Sequence, residues 1–159
     1  MKNLKTLTLF IFAAILFSCS DSTDEELGLT GEGSLTAKID GNDFASLKST
    51  VAATVSNQVA AIQGSTSGGD YIRINIMNYT GVGTYNTGDA ITNVNSISYG
   101  TISPITTWMS TFNIGNGTIK ITEDTSTTMS GTFSFTGINS NAGNSTKTVT
   151  EGEFSAPKS

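Results

Sequence analysis

The sequence predicts an all-β protein, namely a single antiparallel β-sandwich or flattened barrel of about eight or nine strands. Three observations favour this class. Apolar and polar residues alternate in segment after segment, as at Leu35, Ala37 and Ile39, which is the period of a half-buried strand. Turn signals recur about every 8 to 12 residues. Finally, threonine is common and lysine is rare, a composition that favours extended chain over helix.

The first half of the predicted domain is a series of hairpins. Asp40-Gly41-Asn42-Asp43 turns the first strand into a return strand that begins at Phe44, because Asp and Asn beside Gly supply the backbone angles of a tight turn. A calcium loop is the alternative interpretation, but the spaced ligands and distal Glu of an EF-hand are missing. The strand segments of this half are 35–39, the return strand from Phe44, 50–55, 59–63 and 71–78.

The second half alternates strands with glycine-rich connections. Residues 79–89 contain three glycines and indicate a loop with a short strand at Thr84-Tyr85. Asn116-Gly117 predicts a hairpin turn, since Asn-Gly suits a two-residue turn between paired strands. Residues 138–145 indicate a polar loop. The strand segments of this half are 95–101, 105–113, 118–123, 129–135 and 146–155.

The last strand segment contains an irregularity. Val149 and Phe154 lie an odd number of residues apart, so a regular strand cannot direct both side chains into one core. A β-bulge at Glu151-Gly152 would reset the register and bury both. The alternative is that Thr148, Thr150 and Phe154 face inward while Val149 does not. We favour the bulge.

Residues 1–18 are predicted to be a cleaved signal peptide that forms a helix. Lys2 and Lys5 precede an apolar run from Leu7 to Phe17, which is shorter than the roughly 20 apolar residues of a membrane-spanning helix and suits a secretory signal. Leu16-Phe17-Ser18-Cys19 resembles a bacterial lipobox. The resemblance implies cleavage before Cys19, lipidation of its thiol and acylation of its new amine with a fatty acid such as palmitate.

Residues 19–33 are predicted to be a flexible tether ahead of an all-β domain at 34–159. Five acids repel one another and keep this segment extended and solvated. Asp21-Ser22-Thr23 resembles the O-glycosylation site of Bacteroidota proteins, which makes Ser22 a candidate glycosylated residue. The acidic run after Cys19 resembles the surface-export signal of Bacteroidota lipoproteins. We therefore expect an outer-membrane anchor, with the domain at the cell surface rather than in the periplasm.

Charge and cysteine content narrow the classes of partner. Loss of residues 1–18 would remove Lys2 and Lys5 and no acid, which moves the formal charge from -5 to -7. Such a chain repels nucleic acid and anionic lipid, so we expect no nucleic-acid partner. Cys19 is the only cysteine, so a fold that uses it for an anchor must be stabilised by burial and strand pairing without a disulfide.

Five short segments carry a family resemblance: Ala37-Lys38-Ile39-Asp40-Gly41, Gly83-Thr84-Tyr85, Gly117-Thr118-Ile119-Lys120-Ile121-Thr122, Ser130-Gly131-Thr132-Phe133-Ser134-Phe135 and Gly152-Glu153-Phe154. Together they resemble a group of small Bacteroidota lipoproteins known only as a domain of unknown function. The resemblance spans most of residues 33–155. It implies a β-rich, lipid-anchored protein, and because its motifs are strand and turn patterns it implies no particular chemistry.

The residue inventory excludes most catalytic constellations. The chain has no histidine, which removes the usual general base and every Ser-His-Asp or Cys-His arrangement. Zinc sites built on His and Cys are excluded as well, and we expect no metal and no cofactor. A glycoside hydrolase needs two carboxylates about 5–10 Å apart across a cleft, whereas most acids here lie at predicted turns.

Two features are candidates for ligand binding. Tyr71, Arg73 and Asn75 share one face of the clearest strand segment and stand about 7 Å apart. The planar donor fork of Arg73 suits a carboxylate or a sugar hydroxyl, although the same row also fits a plain solvent face with Tyr71 covering its cross-strand neighbours. Trp108 is either a core residue or an exposed stacking platform.

We therefore expect a non-catalytic binding or structural module at the cell envelope, with no enzyme activity. Its partners would be the membrane, through the lipid on Cys19, and a glycan or protein ligand bound by loops or an edge strand. Two alternatives remain: an accessory subunit of an envelope assembly for nutrient or glycan capture, and, least favoured, a hydrolase that uses carboxylates.

Overall fold

The structure is a computed structural model that describes residues 32–159. It confirms the predicted all-β class: these residues form one antiparallel sheet of eleven strands that curls into a half-barrel. The only helical element among them is a short 3-10 turn at Lys48–Thr50, and none of them belongs to a helix suited to crossing a bilayer. The predicted signal helix and nearly all of the predicted tether lie outside the described residues.

Eleven strands exceed the predicted eight or nine because two short segments, the second and sixth strands, pair along their whole length. The strands are β1 Ser34–Ile39, β2 Asn42–Ala45, β3 Ala52–Ser56, β4 Val59–Ser65, β5 Tyr71–Met77, β6 Gly83–Thr87, β7 Ser96–Ile102, β8 Ile105–Thr111, β9 Asn116–Asp124, β10 Thr128–Asn139 and β11 Ser145–Pro157.

The strand order along the sheet is β2-β1-β11-β10-β8-β7-β5-β4-β3. β9 and β6 form a branch, because β9 pairs with β10 over Met129–Thr136 while β8 meets β10 only at Ile138. Curling brings the edge strand β3 to the end of the chain, where Ala53 forms a parallel bridge with Lys158. The Ser159 backbone N–H also donates to the Ala53 carbonyl at 3.1 Å.

The inner face of the curled sheet carries the hydrophobic core. Ile72, Ile74 and Ile76 of β5 are fully buried, as the alternation predicted. Neighbouring strands supply residues of the same parity, because Ile74 lies opposite Ile62 on β4 and opposite Ile97 on β7. Residues of opposite parity form the outer face, where the chain presents mostly Thr, Ser, Asn and charged side chains.

The bulge in the last strand is confirmed. Gly152 lies opposite Phe133 and Val149 lies opposite Phe135, so β11 contains one residue more than β10 between these pairs. Val149 and Phe154 are both buried. Glu151 has a φ of 52°, the left-handed conformation that resets the register. The alternative in which Val149 faces outward is therefore wrong.

The predicted turn at Asn116-Gly117 is wrong. Both residues belong to β9, and the turn after β8 is formed by residues 112–115, with Gly115 at a φ of 67°. Gly117 is required for close packing instead, because a Cβ there would lie 2.6 Å from Thr87 Oγ1 and 2.7 Å from Phe135 Cβ.

The predicted loop 138–145 is shorter than expected. β10 continues to Asn139 and β11 begins at Ser145. The buried Asn139 side chain explains the difference, because its Oδ1 accepts hydrogen bonds from the backbone N–H groups of Asn141 and Ala142 at 2.9 and 3.0 Å. This side chain caps a tight turn, so the strands extend almost to its ends.

Candidate functional site

The sheet separates the four residues that the sequence singled out. Tyr71, Arg73 and Asn75 lie on the outer face of β5, because the alternate isoleucines face the core. Trp108 lies on the inner face, since it pairs with Tyr99, which in turn pairs with the buried Ile72. Tyr71 and Trp108 therefore cannot contribute to one aromatic platform.

Tyr71 packs across the outer face. Its ring lies over Gly100 of β7, so closely that a Cβ at that glycine would overlap the ring. Its hydroxyl lies 3.1 Å from Thr107 Oγ1 on β8. Tyr71 thus covers its cross-strand neighbours, and it also lies beneath the next side chain along the row, with the guanidinium carbon of Arg73 5.9 Å from the ring centroid.

Arg73 is the only arginine in the chain, and it is exposed. The ion pairs among residues 32–159 are Lys38–Glu151, Lys147–Asp40 and Lys158–Asp124. None of them involves Arg73, so within this range its planar fork of donors is not occupied by a carboxylate. The nearby Tyr71 ring instead favours the cation through its electron-rich face.

Arg73 and Asn75 line a groove of about 290 Å³ on the outer face of β3, β4 and β5, which we call the Arg73 groove. Strand register builds it: Gln63 lies opposite Arg73, and Ala61 lies opposite Asn75. The small alanines leave the depression between the longer side chains. The groove is lined by Ala52, Thr54, Ala61, Ile62, Gln63, Arg73 and Asn75.

The lining of the Arg73 groove consists of hydrogen-bonding side chains and apolar ones. Arg73 supplies only hydrogen-bond donors, whereas Gln63, Asn75 and Thr54 carry both donors and acceptors. Asn75 donates from Nδ2 to Ser96 Oγ at 3.2 Å, which leaves its side-chain carbonyl as an acceptor. No Asp or Glu lines the groove, so its lining supplies no carboxylate to act as a general acid or base.

Trp108 packs against the core from the inner face. Its ring stacks on Tyr99, with centroids 5.8 Å apart and planes 19° apart. Its Nε1–H donates to Ser145 Oγ at 3.1 Å, and the Lys147 ammonium lies 5.5 Å from the ring centroid. These contacts favour the packing interpretation of Trp108 over that of a free stacking platform.

Sequence reasoning missed the polar cluster around Trp108. Lys147 Nζ lies 2.7 Å from Asp40 Oδ2, and this hydrogen bond holds the pKa of the Asp40 carboxyl below its ordinary value. The Tyr99 hydroxyl donates to Asp70 Oδ2 at 3.2 Å, and burial, followed by the nearby Asp70 charge, raises the pKa of Tyr99 to about 12. The pairs are far apart in the sequence, so no local pattern signals them.

Two polar depressions on the outer face of β6, β9, β10 and β11 were also missed. They have volumes of about 330 and 300 Å³, and they share Thr118 and Ser134. Glu151 and Glu153 both line the second, but Glu151 is exposed and lies 3.1 Å from Lys38 Nζ. These surfaces have the composition of a solvated sheet face.

Neither the predicted lipidation site Cys19 nor the candidate glycosylation site Ser22 lies within the described residues. Among the residues that are described, no group of three or more His, Cys, Asp or Glu side chains is placed to hold a metal ion.

Comparison with known proteins identifies a family for this chain through a match to one domain model. No curated protein and no solved structure shows a significant match. A family model described as a domain of unknown function matches residues 31–156, a range that contains the Arg73 groove and ten of the eleven strands in full. The chain therefore belongs to the domain of unknown function family DUF6252.

Proposed function

We propose that this protein is a Bacteroidota lipoprotein, anchored in the outer membrane through Cys19, whose β domain is a non-catalytic binding module at the cell surface. Support for the anchor comes from the basic start, the short apolar run and the lipobox-like Leu16-Phe17-Ser18-Cys19. The acidic segment that follows supplies a solvated spacer between the lipid and the domain.

The observation that carries the binding function is the Arg73 groove. An arginine without an acidic partner among residues 32–159 lines a depression on three paired strands. The chain as a whole is acidic, at a formal charge of -5, so this local positive site stands out from its surroundings. Binding residues on paired strands are held more firmly than on loops.

The positions of the acids support a non-catalytic role. Asp40 and Asp124 are ion-paired with Lys147 and Lys158. Asp70 accepts from Tyr99, and Asp89 accepts from Asn93 at 2.5 Å. Asp40, Asp70 and Asp124 thereby connect segments that are far apart in the sequence, whereas Asp89 is bonded within its own loop. These are structural uses rather than that of a catalytic pair.

Protease treatment of intact cells tests the location. A protease added outside should cut the tether and release the domain from wild-type cells, whereas lysis should make no further difference. A Cys19→Ser variant controls for the lipid, because it lacks the acylated residue and should not be released from the surface of intact cells by the protease. Retention of the wild-type domain on intact cells together with its digestion after lysis would show that the surface assignment is wrong.

A glycan array probed with the purified lipoprotein tests the binding role. We expect binding to at least one glycan, with loss of signal in Arg73→Gln. A control substitution, Lys120→Gln, removes the same charge from the outer face of β9 and should leave the array signal unchanged. Equal signals for wild type and Arg73→Gln would contradict binding through the Arg73 groove.

A second candidate function, an accessory subunit of an envelope assembly, is favoured by one observation. The loops 88–95 and 112–115 are joined by hydrogen bonds between Ala90 and Phe112 and between Phe112 and Asn93. They expose large apolar side chains, with Ile91 74% exposed and Phe112 42% exposed. Exposed apolar clusters mark protein contacts when they are large enough. Co-purification that fails in an Ile91→Ser, Phe112→Ser double variant but survives Arg73→Gln would support this function.

A further inference from the structure

We propose that the Arg73 groove binds the carboxylate of an acidic sugar residue, with the sugar hydroxyls held by the neutral side chains around it. This inference rests on the proposed binding function and names its ligand class. Three properties of the groove lead to it: an available guanidinium, a surrounding set of uncharged hydrogen-bonding groups, and a size that fits a single ring.

The guanidinium of Arg73 determines which charge and which geometry a ligand group must have. Arginine binds a carboxylate through two parallel N–H bonds, and the pairing is stronger than one between neutral groups. In residues 32–159 each of the three ion-paired carboxylates is taken by a lysine, so Arg73 retains its fork for a ligand. Tyr71, whose ring centroid is 5.9 Å from the guanidinium carbon, supports the cation without competing for its donors.

The neighbours of Arg73 match hydroxyl groups. Gln63 lies directly across β4 from Arg73, and Asn75 lies two residues further along β5. Each amide donates and accepts, which is what a sugar hydroxyl does. Thr54 completes the wall from β3. A carboxylate with adjacent hydroxyls can therefore form hydrogen bonds with more of the lining side chains than a bare anion can.

The position of the groove on the sheet argues for a sugar over a peptide. The groove lies on the face of the sheet, above β4 and β5, whose backbones each pair with a strand on both sides, so a peptide cannot add within the groove as a strand. Its volume of about 290 Å³ is close to the lower end of roughly 300–1,000 Å³ for small-molecule sites. This is room for one ring rather than for a row of side chains.

Calorimetric titration of the detergent-solubilised, full mature lipoprotein tests the inference. The probes are trigalacturonate and triglucuronate, the fully methyl-esterified form of each, and trialanine as a peptide carboxylate. We expect a uronate to bind at least tenfold more tightly than its own ester and than trialanine. Arg73→Gln should reduce uronate affinity to that of the ester, and Arg73→Lys should retain only part of it, because a lysine lacks the fork.

Lys120→Gln serves as the matched control and should bind the uronate as the wild type does. Melting curves establish that Arg73→Gln is folded, which is expected for an exposed side chain. The inference is overturned if acid and ester bind equally, if trialanine binds as well as the uronates, or if neither uronate binds. A protein that fails these titrations but shows Arg73-dependent binding to neutral glycans on the array would keep its proposed function with a different ligand.

Discussion

The Lys158 ammonium lies 2.7 Å from Asp124 Oδ1, and the two side chains are only 18% and 20% exposed. Lys158 also donates to the Thr125 carbonyl at 2.7 Å, and the Tyr79 hydroxyl donates to the other oxygen of Asp124 at 3.0 Å. The end of β11 is thereby tied to the turn between β9 and β10. Because the backbone of the same terminal residues meets β3 at Ala53, this pair helps to hold the sheet in its curled form.

Substitution of Lys158 by Met should therefore destabilise the domain. We expect the free energy of unfolding to fall by about 1–3 kcal/mol, because hydrogen bonds to a half-buried charged group are lost and Asp124 is left without its cation. Urea unfolding at pH 7 measures the difference. Lys48→Met is the control, since Lys48 is exposed and forms none of the ion pairs in residues 32–159. Equal losses in the two variants would contradict this role of Lys158.

The same pair predicts a dependence of stability on pH. The hydrogen bond from Lys158, and after it that from Tyr79, holds the pKa of Asp124 below its ordinary value of 3.8. A carboxyl whose pKa is lower in the folded state contributes stability above its unfolded pKa and loses it as the pH falls through the folded one. Stability should therefore decline below about pH 4.

The pKa of Asp40 is also lowered, so both carboxyls contribute to the dependence of stability on pH. The contribution of Asp124 is obtained by comparing wild type with a variant that lacks this carboxyl. Asp124→Asn should be less stable than wild type at pH 7, and the gap should narrow as both proteins are brought below pH 3.8. Urea midpoints measured from pH 7 to pH 2.5 provide the comparison. A gap that stays constant over this range would show that the charge of Asp124 contributes nothing.

The bulge in β11 predicts opposite changes in stability for substitutions at two adjacent residues. Glu151 adopts a left-handed backbone conformation, with a φ of 52°, which costs a residue with a side chain about 1–2 kcal/mol. Glu151→Gly should therefore stabilise the domain by up to about 1 kcal/mol, since the gain is reduced by the greater freedom of glycine in the unfolded chain and the exposed pair with Lys38 contributes little.

Gly152→Ala should instead destabilise the domain, because its new methyl group would lie 2.6 Å from Phe133 Cδ2. Thermal melts of wild type and both variants show whether each substitution raises or lowers the melting temperature. A lower melting temperature for Glu151→Gly would contradict the left-handed conformation of Glu151, and an unchanged one for Gly152→Ala would contradict the close contact between Gly152 and Phe133.

Gly100 and Tyr71 should show strong energetic coupling. A methyl group on Gly100 overlaps the Tyr71 ring, so Gly100→Ala must displace the ring and break its contact with Thr107. We expect Gly100→Ala to be destabilising alone and much less so in a Tyr71→Ala background. A double-mutant cycle by urea unfolding should give a coupling of at least 0.5 kcal/mol. Additive effects would show that the ring does not lie over Gly100 in solution.

Alternation alone was sufficient to identify the faces of the strands. Ile72, Ile74 and Ile76 could be assigned to the core from sequence because a strand directs alternate side chains to opposite sides. The same parity argument located the bulge, since Val149 and Phe154 could share a core only if one residue were inserted between them. These are local properties, and the structure agrees with them.

The order and register of strand pairing could not be predicted from the alternation within each strand. Whether Trp108 shares a face with Tyr71 depends on the register of β5 with β7 and of β7 with β8, which the sequence of any one strand does not specify. The Arg73 groove likewise needs Gln63 and Thr54 from two other strands. The turn prediction at Asn116-Gly117 failed because Gly117 is needed for its close approach to Phe135 within the sheet rather than for a turn.

Mass spectrometry of the N-terminal peptide, with the protein purified from a Bacteroidota host, tests the central claim most directly. The proposed envelope function predicts a peptide that begins at Cys19, with a diacylglyceryl group on its sulfur and a fatty acyl group on its amine. A mature peptide that retains residues 1–18, or one in which Cys19 carries a free thiol, would contradict the lipid anchor and the surface function that depends on it.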